Sequence, residues 1–207
     1  MSNKIHLFSF VFYDIIISGD NMEDLRVRRT KAAITGAFID LVLEKGFEYV
    51  KVKDICAKAM INRNTFYLHY LDKEDLLQKM VDSIFIDQEN SIMNIKKENT
   101  YSDFESVKKG FVYVLESFQK EIEFFRILLL DSSMSGYVDK YVNRLKHAFT
   151  KIYGLDYNEF KIELDYIFFG IVGVFKNWIV KDYSSIDELS TKLTNLTLNS
   201  LSNFIKK

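Results

Sequence analysis

The stretch from Val52 to Lys73, VKDICAKAMINRNTFYLHYLDK, constrains the fold more than any other part of this chain. Val52, Ile55, Cys56 and Ala59 form one short apolar pattern, Phe66 and Tyr70 a second, and Met60, Ile61 and Asn62 break the run between them. That spacing predicts two short helices packed at an angle, a helix-turn-helix unit. Asn62 is placed to cap the second helix, because its side-chain oxygen can accept from the backbone N–H of Asn64 or Thr65. The residues facing outward, Arg63, Asn64, Thr65, Tyr67 and His69, are hydrogen-bonding types able to reach base edges or phosphates. A polar outer face on so short a helix suggests a reading head for nucleic acid.

The net charge of −1 argues against such a partner until it is divided along the chain. From Arg26 to Lys73 there are ten Lys and Arg against five Asp and Glu, a surplus of +5 that leaves −6 for the remainder. This asymmetry puts a phosphate-facing surface in the first third. The basic cluster of Arg26, Arg28, Arg29 and Lys31 either reaches phosphates across the groove or is a solvated helix end.

The rest of the chain reads as helix. With 207 residues, 48% of them hydrophobic, it can bury a substantial core, and no prolines and eight glycines favour long helices. A single cysteine rules out an intrachain disulfide, and three scattered histidines make a metal site unexpected. Residues 1–23 form an extension; its apolar part, Ile5 to Ser18, is too short to span a bilayer and is interrupted by Asp14. One reading is that translation begins at Met22; the other is a hydrophobic arm packed on the body or on a partner chain.

Arg26 to Lys45 carries Val27, Ala33, Ile34, Ala37, Phe38, Leu41 and Val42 on one stripe and is ended by Gly46. Asp72, with Asp75 at the third position, starts a helix to about Lys97 whose stripe is Leu76, Leu77, Met80, Val81, Ile84, Phe85, Gln88, Ile92 and Ile95. That helix is the expected mechanical link between the basic and acidic parts. Lys96 to Ser102 reads as a loop, and helices follow over Asp103 to Gln119, Glu121 to Leu130 and Tyr137 to Tyr153, with a turn at Ser132 to Gly136. Tyr157 to Val180 is apolar on nearly every side and is expected to be buried all round, with Gly170 and Gly173 allowing a second helix to come close. The last helix, Ile186 to Ile205, spaces Ile186, Leu189, Leu193, Leu196, Ser200 and Phe204 like a coiled-coil seam. These two helices suggest a self-association surface, with simple core packing as the alternative. The aromatic stripes of the middle helices are core residues that could also line an adaptable apolar cavity.

The run from Arg28 to Val81 resembles the DNA-binding domain of the TetR family of bacterial transcription regulators. The likeness rests on Lys45-Gly46-Phe47, Val52-Lys53-Asp54-Ile55, the segment Asn62 to Tyr70 and Asp72-Lys73-Glu74-Asp75-Leu76-Leu77. Lys51 departs from the family pattern, which has a capping Thr there; Cys56 replaces Ala, and Met60 replaces a turn Gly. Because a left-handed turn is costly for a residue with a β-carbon, a slightly altered turn is expected at Met60. The resemblance implies an all-α fold: a three-helix helix-turn-helix domain over 24–71, then a larger ligand-binding and dimerisation bundle over 72–207. It also implies dimerisation through the last two helices. Gly170 to Trp178 looks like the branch grouped with dihydroxyacetone-kinase regulators.

The expectation is therefore a cytoplasmic, homodimeric, ligand-responsive repressor of transcription that binds a palindromic double-stranded DNA operator, without membrane, metal or cofactor. Arg28, Lys53, Arg63, Asn64, Thr65, Tyr67, His69 and Lys73 are the expected DNA-binding residues, although Tyr67 could pack on the first helix and His69 could buttress locally. An unidentified small apolar or aromatic effector is expected among Phe111, Leu115, Phe118, Phe125, Met134, Tyr141, Phe168 and Phe175. The dimer interface is expected at Phe169, Gly173, Leu189, Leu193, Leu196 and Phe204. The alternative is a helical adaptor domain whose basic segment binds an acidic partner without sequence selectivity. Enzyme function is least expected, since the chain has no Gly-rich phosphate loop, HExxH pair or GxSxG elbow.

Overall fold

Capping and glycine chemistry decides where the helices of this chain begin and end. The computed structural model describes residues 22–98, 104–181 and 184–202. Helix α1 spans Met22–Lys45, and the Gly46 N–H closes it on Val42 O at 2.8 Å with a φ of 83° that favours glycine. After a single 3-10 turn at Phe47–Tyr49 come α2 (Val52–Lys58) and α3 (Arg63–Tyr67). Helix α4 (Lys73–Glu98) opens with the Asp75 N–H donating to Asp72 Oδ1 at 2.7 Å, while Leu71 N–H donates to Asp75 Oδ2 at 2.9 Å. That is the capping box read from the sequence, displaced by one residue at its return bond.

The larger part holds α5 (Phe104–Lys120), α6 (Ile122–Leu130), a 3-10 turn at Ser132–Met134, α7 (Ser135–Tyr153), α8 (Lys161–Lys181) and α9 (Ile186–Leu201). Gly154, at φ 64°, terminates α7, and the Ser185 hydroxyl caps α9 by accepting from Glu188 N–H at 3.2 Å. Residues 1–21 of the expected extension, the loop residues 99–102, and Phe204 and Ile205 lie outside the described residues, as do the side chains of Gln88, Ile92 and Ile95; Met22 and Glu23 belong to α1, and Lys96 to Glu98, expected in the loop, continue α4.

The centre of the fold is α6, not α8 as the apolar pattern suggested. Phe124, Phe125, Ile127, Leu128 and Leu129 of α6 are all buried, and the helix packs against α1, α5, α7 and α8. Its two exposed polar side chains, Glu123 and Arg126, pair with each other at 3.0 Å. Helix α8 instead keeps an outer row of apolar residues, Ile162, Tyr166, Phe169 and Val180, in solvent. The expectation of all-round burial fails there because, among the described residues, no element covers that side of α8. In α1, Ala33 is exposed while Ile39, outside the expected stripe, is buried.

Helix α9 lies along α5, so the expected seam is split. Leu189 and Leu193 are buried inside the protomer, whereas Leu196 is 62% exposed. Polar groups tie the layers together. Lys146 of α7, a buried lysine, pairs with Asp165 of α8 at 2.5 Å. Arg144 of α7 pairs with Asp82 of α4 and lies 3.9 Å over the Phe85 ring, fixing the link helix to the bundle.

Candidate nucleic-acid interface

The turn between α2 and α3 keeps a left-handed residue despite the absence of glycine. Lys51 at the start of α2 has no acceptor in its side chain, so only the return half of a capping box forms, the Lys51 N–H donating to Asp54 Oδ2 at 3.3 Å. Lys45 donates to the same carboxylate at 2.6 Å and holds the Asp54 carboxyl below its ordinary range, the Lys45 hydrogen bond being the largest cause. Met60 then adopts a φ of 54°, the one positive φ outside glycine among the described residues. The turn is thus the left-handed one a glycine would make, and the expected change of turn is not found. Met60 accommodates it by standing 91% exposed, with its side chain clear of the packing.

Asn62 caps α3 as expected, its Oδ1 accepting from Asn64 N–H at 2.9 Å. Phe66 anchors the helix, being fully buried and 5.6 Å from the rings of both Tyr67 and Tyr70. With Phe66 turned inward, Arg63, Asn64, Tyr67 and Leu68 form one exposed row. Tyr67 is 53% exposed, and Thr65 is half-buried beside the row.

The expected cations divide into two groups. Lys53 and Arg63 are exposed, but Arg28 is only 7% exposed, which withdraws it from the phosphate role. Lys73 is also withdrawn: its ammonium donates to Phe47 O at 2.9 Å and Glu48 O at 3.1 Å and sits 4.5 Å over the Phe47 ring. It fastens the start of α4 to the turn after α1, a long-range use that local spacing does not reveal. Lys45 and Lys58 are likewise spent on Asp54 and on Glu44 and Asp40, joining α1 to α2. Sequence reasoning missed two residues: Leu68, whose exposure follows from α3 being so short, and Lys79, which donates to His69 O at 3.0 Å. His69 is half-buried, edge-on to the Tyr70 ring at 6.3 Å, and burial, then Lys31 and Lys79, hold its imidazole below the ordinary range.

A family model described as bacterial regulatory proteins, tetR family, matches residues 34–80, which contain the second half of α1, all of α2 and α3 and the first turns of α4. The likeness to the TetR family is carried by this segment. The chain is also 46% identical over 59 residues to the uncharacterized HTH-type transcriptional regulator YxbF of Bacillus subtilis, covering 28% of this chain and 16% of that protein. The chain therefore spans well under two thirds of that relative.

Beyond the TetR-type segment the likeness is one of fold. The fatty acid degradation regulator FadR from Bacillus halodurans superposes with a TM-score of 0.63 at 19% identity, covering 80% of this chain and 96% of that one. The dihydroxyacetone kinase operon activator DhaS gives 0.56 at 18% identity, covering 84% and 97%. Both share with this chain a fold in which short N-terminal helices are followed by a larger helical body.

Within that body the expected effector residues fall into separate clusters. Phe118 stacks on Phe125 at 3.7 Å and meets Phe175 edge-on at 4.8 Å, with Leu115 also buried; Tyr141 packs on Phe85 at 6.3 Å and buried Met134 sits in the 3-10 turn before α7. Phe168 meets Phe149 at 5.6 Å, and Phe111 is half-buried. The first three rings fill one another's space. Of the expected interface, Leu189 and Leu193 are corrected to protomer core because α9 turns them towards α5. Phe169 and Leu196 are exposed, and a Cβ added at Gly173 would meet nothing within 4 Å. The outer row of α8, with Tyr166 at 76% exposure, extends that surface.

Proposed function

We propose that this protein is a DNA-binding transcription regulator of the repressor kind, acting in the cytoplasm as a homodimer on a palindromic operator. The observation that carries the reading is the exposed row Arg63, Asn64 and Tyr67 on α3, a capped helix held at an angle by α2 inside a TetR-family segment. Arg63, Asn64 and Thr65 read base edges, while Lys53, Tyr67 and His69 hold phosphates. Two protomers joined through Ile162, Tyr166, Phe169 and Val180 of α8 and Leu196 of α9 would set their α3 helices about one turn of DNA apart, roughly 34 Å. The burial of that apolar row is the driving force for pairing. No helix among the described residues is long and apolar enough to cross a membrane.

An apolar or aromatic effector would enter the bundle at the Phe118, Phe125 and Phe175 cluster, where it must part rings that now touch. Its effect would pass to α3 through α4, which the Arg144 to Asp82 pair holds against α7. Such a ligand shifts the separation of the two heads only by its differential affinity for the two arrangements.

Mobility shift on the DNA upstream of the protein's own coding region tests the core of this reading. The expected result is selective, roughly nanomolar binding that weakens steeply with salt, abolished by Tyr67→Ala while the sedimentation of a dimer is unchanged. Retention without selectivity would favour an adaptor instead. A single-copy species at micromolar concentration would remove the homodimer.

A further inference from the structure

We propose that Lys79 of α4 completes a seat for a DNA backbone phosphate beside His69 at the C-terminal end of the reading helix. This rests on the DNA-binding reading above and deepens it by naming a contact that lies outside the helix-turn-helix itself.

The geometry at Lys79 is specific. Its ammonium donates to His69 O at 3.0 Å and to Asp75 Oδ2 at 2.8 Å, and it lies 5.5 Å over the Tyr70 ring. An ammonium has three N–H groups, so these bonds fix its position and leave one donor for a ligand. The side chain is half exposed, so that donor faces solvent. Lys73, the lysine that local spacing selects for phosphate, also makes two hydrogen bonds, but its side chain is 17% exposed beneath the 3-10 turn, against 52% for Lys79.

The electrostatics point the same way. The groups facing the His69 imidazole are the Lys31 and Lys79 cations from α1 and α4, the Asp75 carboxylate that Lys79 already holds, and the Tyr70 phenol. Burial pushes that phenol up to about 12, so it stays neutral. The acid beside Lys79 is shared with the Leu71 N–H. An incoming phosphate diester gives the Lys79 ammonium its third acceptor and favours protonation of the His69 imidazole, opposing the burial that now lowers it. Binding then takes up a proton, so affinity rises as pH falls.

The test uses the full-length protein and two duplexes, the upstream DNA and a scrambled duplex of equal length and composition. Lys79→Gln keeps a donor for His69 O and Asp75 but removes the charge; Lys79→Arg keeps the charge. The expected result is that Lys79→Gln weakens both duplexes by about threefold at 0.15 M salt and lowers the salt slope by about one per seat, with Lys79→Arg close to the parent. His69→Gln should remove the pH dependence, and thermal unfolding of each variant controls for folding. Selective binding that is indifferent to Lys79→Gln overturns the seat and leaves the regulator reading intact. Equal loss on both duplexes without selectivity supports the seat and overturns the regulator reading. Binding to neither duplex overturns both.

Discussion

The reading unit over α1 to α3 and the bundle over α5 to α9 solve opposite problems with similar helices. In the reading unit, most boundaries are set within a few residues of where they fall: Gly46 after α1, Asp54 at α2 and Asn62 at α3. Helices α2 and α3 are short and bury few side chains of their own, and cations do part of the packing. Lys45, Lys58 and Lys73 each fasten one element to another. The bundle buries aromatic and branched residues in quantity and uses few ion pairs between helices, chiefly Lys146 with Asp165 and Lys108 with Asp187. A basic residue in the first region is therefore ambiguous between glue and ligand contact, and an apolar residue in the second is ambiguous between core and interface.

The largest test of that contrast lies in the bundle. Phe118→Ala should cost about 3–5 kcal/mol of unfolding free energy in urea, because it removes a ring stacked on Phe125 and edge-on to Phe175. A cost below about 1 kcal/mol would mean the rings are loosely held and that a cavity there is easily opened. In the reading unit, Lys73→Met should cost about 1–2 kcal/mol, since it strips the partners from two carbonyls and the cation from the Phe47 face. Were stability unchanged and DNA affinity alone reduced, Lys73 would be a ligand contact after all. The smallest effect has the opposite sign. Met60→Gly should stabilise by about 0.5–1 kcal/mol, because glycine accepts the left-handed turn and the Met60 side chain contributes no packing. A loss on this substitution would reveal a contact for Met60 that only forms in the assembled protein.

Much of the fold was legible because helices report themselves locally. The Asn62 cap, the Asp72 and Asp75 box and the Gly46 stop each involve groups within a few residues of one another, so spacing is enough to find them. The exposed row of Arg63, Asn64 and Tyr67 followed from the position of Phe66 in the same short helix. Lys73, Leu189 and Leu193 sit deeper in the protein than their spacing suggested, for one shared reason. Each has a polarity and spacing compatible with two environments, and the choice between them is made by an element distant in sequence: the turn at Phe47 for Lys73, and α5 for the two leucines. Lys79 was overlooked because its partner His69 lies in the preceding segment, outside the period of its own helix.

What the sequence determined alone was the all-α class, the helix positions to within a few residues and the pairing of two short helices around Asn62, since all of these depend on short-range hydrogen bonds and on side-chain periodicity. Tertiary structure decided which cations are free, which apolar rows face solvent and which helix forms the centre. Those outcomes depend on burial, and burial is a property of neighbours brought together from far along the chain.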